Sequence, residues 1–331
     1  MVKNALKIRR LSQKILEILG GSSVHPSAAI AGGFLNCLKP SQQSELLSET
    51  LDSIAILNKI IEENEEKLYN INNDAKAVPS NFVSLYSSST YPLYDSEKIH
   101  AISMSGELLS SFKFSEYFEN INEETSPWSY SKIPYLKKRG LEKGVYRVGP
   151  LARFNINGKI DSEMAEELMN KFLSNVKKPI VSSSYYNIVR LIEIAYVLDK
   201  ILEHLSSKNV QENAPPSKNL KIINNEGIGI IEAPRGLLIH RYRVDEDGYI
   251  KDADMIVATT QNTPIIAKEI TDVSREIIHK DGVLKEKLYN VISKLIRNYD
   301  PCLSCATHSY NIPFILEMRM RDKVIYYPKT F

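Results

Sequence analysis

Apolar residues recur every three or four positions over six segments of the chain, and this periodicity restricts the fold more than any other feature. The segments cover residues 5–19, 41–61, a stretch that follows Asp161, and residues 186–205, 265–279 and 284–297. Such spacing places the apolar side chains on one face of a helix. No apolar stretch reaches the ~20 residues that a membrane-spanning helix needs. The pattern predicts helices packed through their apolar faces, without a membrane span.

The second and third segments also carry signals for where a helix starts and which side faces inward. Pro40 precedes the second segment, and Ser41 is its predicted N-cap residue. The charged end of that segment, Glu62–Lys67, predicts a solvated surface. The side chains predicted to face the core are Leu47, Leu51, Ile54, Leu57 and Ile61 in the second segment, and Met164, Leu168 and Phe172 in the third.

The remaining segments predict a smaller β-component. Residues 76–135 are rich in Ser and Tyr with short apolar runs, which favours loops and short strands between helices. Residues 207–219 predict a surface loop. Residues 228–231 and 237–244 predict strands, and Asp247-Gly248 predicts the turn that leads to a further strand. We therefore expect a mainly α chain of the α+β class, with a small β-element.

The composition excludes several classes of partner and location. Lys and Arg total 42 and Asp and Glu total 40, which gives a net charge of +2. This charge gives no reason to expect nucleic acid or an anionic membrane as a partner. Three cysteines do not make a disulfide framework and fit a reducing cytoplasm. The first twenty residues mix apolar and basic side chains, unlike a secretory signal.

Two of the cysteines lie close together in Tyr299–His308, which reads Tyr-Asp-Pro-Cys-Leu-Ser-Cys-Ala-Thr-His. Thiolates of this kind suit nickel, iron, zinc or copper(I). Pro301 restricts its own backbone and favours an extended conformation at Asp300. A bare Cys-x-x-Cys is equally typical of half a zinc site or of a redox dithiol. A zinc site needs a second ligand pair, and the remaining cysteine, Cys37, stands alone.

The run Asp300–His308 is far more specific than the cysteine pair, and it resembles the C-terminal signature of the large subunit of [NiFe] hydrogenases. Other motifs of that family follow in the family's order: Gly20-Gly21 with His25-Pro26 and Gly32-Gly33, then Tyr91–Asp95, Tyr146–Arg153, Glu232–His240 and Thr259–Asn262. The resemblance covers essentially the whole chain. It points most closely to the cytoplasmic branch that feeds heterodisulfide reductase, a deazaflavin coenzyme, NAD(P) or sulfur.

This resemblance implies a helical-bundle core with a small β-element near the site. It implies reversible heterolytic cleavage of dihydrogen at a centre of nickel and an iron that carries cyanide and carbonyl ligands, with magnesium as a weaker inference. Electrons would leave through an iron–sulfur small subunit. Their destination would be electron-acceptor subunits, either a heterodisulfide reductase or a deazaflavin/NAD(P) module.

The family pattern also assigns metal ligands on this chain. Cys302 would bind nickel terminally, and Cys305 would bridge nickel and iron. His308 would bind magnesium, with the backbone carbonyl of Met255 as a weaker second ligand. His25 and His240 lie in family motifs, but we interpret both as hydrogen-bonded structural histidines.

Four further residues take roles around the metals by the same resemblance. Arg235 would lie over the open face of the metals, hydrogen-bond a cyanide and pair with Asp300. Cys302 together with these two would form the catalytic set. Pro234 and Thr259 would contact the cofactor, with the Thr259 hydroxyl donating to the second cyanide. Without the flanking motifs, Arg235 would be an ordinary arginine at a strand end and Thr259 part of a Thr-rich strand end.

The chain departs from the family at its start. Family members open with an Arg-Ile-Glu-Gly-His run and an Arg-x-Cys-x-x-Cys pair, and neither is present here, so two of the family's four metal-binding cysteines are missing. Ala31 also stands where a proline is expected. We therefore expect that a second polypeptide carries the missing Cys-x-x-Cys, unless the true start lies upstream. We expect the single chain to be inactive.

Two other function classes stay open. One is a metal-free structural relative, similar to the quinone-site subunit of respiratory complex I, and the other is a zinc-stabilised interaction module. The retained Arg235, Asp300 and cysteine pair disfavour the first, and the single ligand pair disfavours the second. Residues 1–308 would form one large-subunit domain that is incomplete at its N-terminal side. Residues 309–331 resemble a tail that a maturation protease removes, and their apolar alternation predicts a strand.

Overall fold

The computed structural model describes residues 2–30, 33–69, 78–93, 96, 98–207, 222, 224–281, 285–307, 318–320 and 323–326. The helices are α1 (Val2–Gly20), α2 (Pro40–Glu63), α3 (Glu65–Tyr69), α4 (Tyr117–Asn120), α5 (Gly140–Gly144), α6 (Pro150–Asn157), α7 (Glu163–Leu173), α8 (Tyr186–Ser206), α9 (Ala258–Asp281), α10 (Lys285–Tyr299) and α11 (Leu303–Thr307). Short 3₁₀ turns cover Phe114–Glu116, Lys137–Arg139 and Ser183–Tyr185.

The strands are β1 (Ala29–Ile30), β2 (Gly33–Phe34), β3 (Asn81–Tyr86), β4 (Lys98–Ile102), β5 (Leu108–Lys113), β6 (Ile121–Glu124), β7 (Ile133–Leu136), β8 (Tyr146–Arg147), β9 (Glu226–Ala233), β10 (Gly236–Val244), β11 (Ile250–Ile256), β12 (Met318–Met320) and β13 (Lys323–Tyr326). They form a four-stranded sheet in the order β5-β4-β3-β8, a three-stranded sheet in the order β11-β10-β9, and three two-stranded pairs. The predicted mainly α, α+β class is confirmed.

The long helices form the larger of two apolar cores. Helix α2 packs against α1 and α8, α7 packs against α8, and α9 packs against α10. Leu46, Val189, Ile192 and Leu295 are among the buried residues of this core. All six predicted helical segments are helices, and their ends differ by a few residues except at α9, which begins at Ala258, seven residues before the predicted start. No helix among the described residues is long and apolar enough to cross a membrane.

Four of the five residues predicted to face the core from α2 do so: Leu57 and Ile61 are buried, and Leu47 and Ile54 pack partly buried against the core. Leu51 is 51% exposed, whereas Thr50 and Ser53 are buried beside Leu46. The Thr50 hydroxyl donates to the carbonyl of Leu46 at 2.7 Å, and the Ser53 hydroxyl donates four residues back at the same distance. Because each hydroxyl finds an acceptor within its own helix, its burial is tolerated. The prediction is therefore wrong at Leu51 alone, because the helix buries Thr50 and Ser53, which a pattern of apolar residues cannot indicate.

The helix starts follow local capping chemistry. Ser162 caps α7, and its hydroxyl accepts a hydrogen bond from the Ala165 amide at 3.3 Å. Helix α2 begins at Pro40 with Lys39 as its N-cap, so the predicted cap at Ser41 is wrong. A proline at the first helical position lacks only an N–H that would have no intrahelical acceptor. The helix therefore begins two residues earlier than an N-cap at Ser41 would allow.

The second core lies between the two larger sheets and contains Val83, Leu85, Leu237 and Ile239. Residues 76–135 were predicted to form loops and short strands, but they contribute three strands, β3, β4 and β5, to the four-stranded sheet. Every residue of β3 except the last is buried. A strand buried on both faces lacks the apolar–polar alternation that identifies a strand in a sequence. The predicted hairpin at Asp247-Gly248 is present between β10 and β11.

Candidate metal centre

Three segments from different parts of the chain meet near the cysteine motif. Ala233 pairs with Gly236, so Pro234 and Arg235 form the two-residue turn between β9 and β10. Helix α9 begins two residues after β11 and brings Thr259 in its first turn. The third segment is the junction between α10 and α11. The contacts among these segments decide which predicted site residues come together.

The predicted ion pair between Arg235 and Asp300 is present. Nη2 of Arg235 lies 3.1 Å from a carboxylate oxygen of Asp300, and Nε donates to the Asp300 backbone carbonyl. The two side chains are 39% and 53% exposed. Exposed pairs stabilise a fold by only ~0–1 kcal/mol. The pair therefore fixes the direction of the guanidinium more than it stabilises the protein.

Asp300 does not take the extended conformation predicted for a residue before proline. Its φ is 50°, in the left-handed region. Aspartate tolerates that region better than most residues. The Asp300 amide donates to the Arg297 carbonyl at 3.2 Å, which closes the last turn of α10. Arg235 holds the carbonyl and the carboxylate of Asp300 together, so local hydrogen bonds override the proline preference.

The first turn of α9 holds the short helix that carries the cysteines. The Cys302 amide donates to the Thr259 hydroxyl at 3.1 Å, and the Thr260 hydroxyl donates to the Ala306 carbonyl at 3.3 Å. Both threonines are 4% exposed. Thr259 thus lies in a helix and not at a strand end. Its hydroxyl contacts the backbone of the first cysteine of the motif.

The two cysteine side chains converge on each other. Their Cα atoms are 5.4 Å apart, and the sulfurs of Cys302 and Cys305 are joined as a disulfide. The sequence predicts instead two separate thiolates at the inner end of a helix. Cys302 is half-buried and Cys305 is exposed. Metal binding by this pair requires reduction to thiolates, because the thiolate is the ligand form.

The cysteine pair supplies only two of the donors that a metal site needs. Two thiolates are suitable donors for nickel and iron. Among the described residues, no group of three or more His, Cys, Asp or Glu side chains is placed to hold a metal ion. The predicted ligand His308 lies outside the described residues. The described residues therefore fit part of a metal site and do not complete one.

The other predicted histidine positions differ in their surroundings. Nδ1 of His240 lies 2.9 Å from the Tyr242 hydroxyl, which also lies 3.7 Å from the sulfur of Met255. Burial lowers the pKa of His240. His25 is exposed. His240 is thus a hydrogen-bonded histidine on β10, as its structural interpretation predicted.

Two glycines explain why the motifs Tyr146–Arg153 and Glu232–His240 occur together. Gly149 has a φ of 99°, and a Cβ there would lie 2.6 Å from the Arg235 carbonyl oxygen. Gly236 has a φ of 137°, and a Cβ there would lie 2.6 Å from the Gly149 amide nitrogen. Contacts this close exclude any side chain. The backbone that follows β8 therefore packs directly on the turn that carries Arg235.

The motif Thr259–Asn262 links the same parts. Gln261 donates to the Leu237 carbonyl at 2.6 Å and accepts from the Tyr146 hydroxyl at 3.0 Å. Asn262 accepts from the Val148 amide at 2.9 Å. Gln261 and Asn262 are buried. These side chains tie α9 to β8 and β10, which fixes Thr259 relative to the Arg235 turn.

A buried ionic triad under the turn was missed by the sequence interpretation. Arg153 donates to both carboxylate oxygens of Glu193 at 2.7 Å and to Glu232 at 2.7 Å. It also donates to the carbonyls of Ala233 and Pro234 at 2.9 and 3.3 Å. The available signal was Glu193, a charged residue beside the apolar positions of the fourth helical segment. The triad positions the residues immediately before Arg235.

A mostly apolar cleft of about 530 Å³ opens beside the turn. Its walls come from α1, α2 and α8, with Leu57, Leu191 and Val197 among the apolar side chains. Pro234 and Asp300 lie at one end of it. The missing N-terminal motif predicts an apolar cleft around Cys302. The cleft borders Asp300, two residues before Cys302, but neither cysteine lines it, so the predicted position around Cys302 is not met.

Comparison with known proteins identifies relatives over most of the chain. A family profile described as "Nickel-dependent hydrogenase" matches residues 59–308. The vhc F420-non-reducing hydrogenase of Methanococcus voltae has a subunit that is 33% identical over 319 residues, which cover 93% of this chain and 66% of that protein. The beta subunit of the NAD-reducing hydrogenase HoxS of Cupriavidus necator is 29% identical, with 93% of this chain and 66% of that protein covered.

Solved structures show the same relationship. The structure of an NAD⁺-reducing [NiFe]-hydrogenase in the H₂-reduced state superposes with a TM-score of 0.81 at 28% identity, covering 92% of this chain and 68% of that chain. The [NiFeSe] hydrogenase of Desulfomicrobium baculatum superposes with a TM-score of 0.65 at 19% identity, covering 92% and 68%. The second likeness shows the fold alone. The chain spans about two thirds of the length of the relatives that it matches.

Proposed function

The chain belongs to the nickel-dependent hydrogenase family, and we propose that it supplies one cysteine pair to a nickel–iron centre that cleaves dihydrogen reversibly and heterolytically. The observation that carries this proposal is the ion pair of 3.1 Å between Arg235 and Asp300. This pair brings the positively charged guanidinium of Arg235 to Asp300, which lies two residues before Cys302. Neither a zinc-stabilised module nor a metal-free relative requires a guanidinium in this position.

We assign the following work to the residues of this chain. Cys302 and Cys305, once reduced, would hold nickel and iron through their two thiolates. The Thr259 hydroxyl accepts from the Cys302 amide and keeps a donor hydrogen that can face an anionic ligand of iron. Arg235 holds an anionic ligand by hydrogen bonds, since a guanidinium is a poor base. When bound, the metals supply the Lewis acidity that polarises dihydrogen.

Asp300 orients Arg235 and gives it a counter-charge. Pro234 borders the cleft next to Arg235 and excludes water from that side. We further propose cyanide and carbonyl as ligands of the iron, and magnesium bound with His308. The described residues offer two thiolates, which are only part of the donors that this centre would need.

The remaining donors would come from a segment that carries Arg-x-Cys-x-x-Cys, which we propose to be a second polypeptide. An iron–sulfur small subunit would take the electrons. We further propose a cytoplasmic complex with either a heterodisulfide reductase or a deazaflavin/NAD(P) module as acceptor; the relative named NAD-reducing hydrogenase supports an NAD(P) module. We propose that residues 309–331 form an extension that is removed on maturation. In that extension β12 and β13 pair as a short antiparallel hairpin, whereas most of the predicted strand lies outside the described residues.

Hydrogen-dependent reduction of a viologen dye tests the proposal. The complex purified from its host should reduce the dye, whereas this chain alone should not, because two thiolates leave metal positions unfilled. Arg235→Lys in the complex should lower the rate by ~100-fold or more, the size found when one preorganised charged donor is lost. The exposed Arg243→Lys is the matched control and should keep the wild-type rate. Dye reduction by the single chain, or full activity of Arg235→Lys, would contradict the proposal.

A further inference from the structure

We propose that Arg153, Glu193 and Glu232 form a proton-holding site beside the cleft, in which Glu232 carries the exchangeable proton. The proton-holding role follows from the geometry of the triad alone. Its service to hydrogen cleavage rests on the proposed function. Helix α6 supplies Arg153, α8 supplies Glu193, and Glu232 lies one residue before the end of β9.

The triad contains one basic group and two acidic groups. One guanidinium faces two carboxyl groups, and its side chain is 1% exposed. With both carboxyl groups ionised, the triad would hold an uncompensated negative charge away from water. Such a charge is costly, and a buried carboxyl group normally takes up a proton instead. The lone arginine therefore compensates one carboxylate, and the other carboxyl group is favoured in its protonated form.

The two carboxyl groups of the triad accept different sets of hydrogen bonds. Glu193 accepts two hydrogen bonds from Arg153 and a third, of 2.7 Å, from the Tyr91 hydroxyl. Glu232 accepts one from Arg153 and one of 2.9 Å from the Leu85 amide. Because Arg153 pairs with both carboxyl oxygens of Glu193 and with one of Glu232, Glu232 is the carboxyl group left to take the proton. Burial raises the pKa of Glu232 to about 7.

Arg190 and Tyr91 are further titratable groups that interact with the triad. Arg190 is the further cation that interacts electrostatically with Glu193, and it also interacts with Asp300. Burial lowers the pKa of Arg190 but leaves it charged in any neutral buffer. Tyr91 is neutral, because burial and the neighbouring carboxylate raise its pKa. These neighbours leave Glu232 as the group of the triad that titrates near neutral pH.

The cleft offers the triad a route for proton exchange. All three members of the triad border the cleft, together with Arg190 and Asp300. The Glu232 side chain itself is 0% exposed and that of Glu193 is 12% exposed, so a proton on Glu232 would exchange with a base or water in the cleft by way of Glu193 and return by the reverse transfer. One O–H bond breaks and one forms, without a change in oxidation state. Because Arg153 also binds the carbonyls of Ala233 and Pro234, the site is mechanically linked to the Arg235 turn.

Infrared spectroscopy of the complex tests the proton-holding site directly. A protonated buried carboxyl group has a C=O band separate from carboxylate bands. We expect a band that disappears with an apparent pKa of about 7 as pH rises, and that is missing in Glu232→Gln. Glu269→Gln is the matched control, because Glu269 is a buried carboxyl group beside a different arginine, Arg147. Its loss should leave the Glu232 band in place. A neutral-range band of unchanged intensity in Glu232→Gln would overturn the proposal.

A second variant keeps the test valid if Glu232→Gln fails to fold. Tyr91→Phe removes one donor from Glu193, which makes the ionised triad less stable and should raise the apparent pKa of the band by up to about one unit. An unchanged pKa would contradict a shared site. Hydrogen-dependent dye reduction then tests the relay role: Glu232→Gln should flatten its pH profile near neutrality, and a wild-type profile would refute that role. If the wild-type complex shows no hydrogen turnover, the proposed function fails while the infrared result still decides the proton-holding site.

Discussion

Arg153 and Arg235 both make ion pairs at the β9–β10 turn, and their surroundings give these pairs different consequences. Arg153 is buried against two carboxyl groups. Removing it would leave buried charge without a partner, which typically costs ~3–5 kcal/mol. Arg235 and Asp300 are partly exposed, so their pair contributes ~1 kcal/mol or less. Arg153 is needed to hold the turn, whereas Arg235 can be replaced without unfolding the protein.

Glu232 predicts a dependence of stability on pH. Its pKa in the folded protein is about 7, above its ordinary value of 4.5. Between these values the folded state binds more protons than the unfolded state. The contribution of Glu232 to the free energy of unfolding is therefore complete below about pH 4.5 and is lost as pH rises through about 7, by up to ~1.4 kcal/mol per pH unit.

Urea unfolding of the complex at several pH values measures this effect. Subtracting the curve of Glu232→Gln from that of the wild type should isolate the slope. The exposed Glu142→Gln should leave the wild-type slope unchanged. Parallel pH dependence of the wild type and Glu232→Gln would show that Glu232 is ionised throughout.

At the scale of elements, the family motifs are the places where backbone segments touch. Gly149 and Gly236 allow the segment after β8 to lie against the Arg235 turn. Gln261 and Asn262 tie α9 to the same region. The sequence interpretation identified these motifs only by resemblance. A single sequence carries no signal for contacts between segments about 90 residues apart, so their packing could not be predicted from it.

A pair of glycine substitutions tests this packing. Gly149→Ala places a Cβ 2.6 Å from the Arg235 carbonyl at a φ of 99°, whereas Gly158→Ala has a φ of 66° and no heavy atom within 4 Å. Both substitutions strain the backbone, by ~1–2 kcal/mol each. Only Gly149→Ala adds a steric clash, which typically costs a further ~1–3 kcal/mol. Chemical unfolding should show the larger loss at Gly149. Equal losses at both positions would mean that the turn moves aside at no cost.

At the scale of the whole molecule, the sequence predicted the class, the long helices and the β10–β11 hairpin, and its family resemblance predicted the Arg235–Asp300 pair. These follow from periodicity, turn residues and a specific motif. It did not predict the burial of Thr50 and Ser53 on α2 or the triad around Arg153, because both depend on polar groups satisfied by partners in the fold. The left-handed Asp300 was missed for the same reason, since the Arg235 side chain and the Arg297 carbonyl bind it.

The arrangement of the whole molecule also explains why the centre needs further donors. Cys305 is exposed and Cys302 half-buried, and the apolar cleft lies beside Asp300. An apolar surface of this kind is usually covered by a partner. Under the proposed function, a second cysteine pair would complete the metal site beside Cys302 and Cys305, with Arg235 and the triad of Glu232 nearby.

The metal content of the complex, purified from its host under reducing conditions, tests this central claim most directly. Elemental analysis should find nickel and iron in the wild type, and both should be lost in Cys302→Ser, which removes one thiolate. Serine at the exposed Cys37 is the control and should leave both metals in place. Zinc in place of nickel and iron, or a wild-type complex with no more metal than the Cys302→Ser variant, would contradict the account.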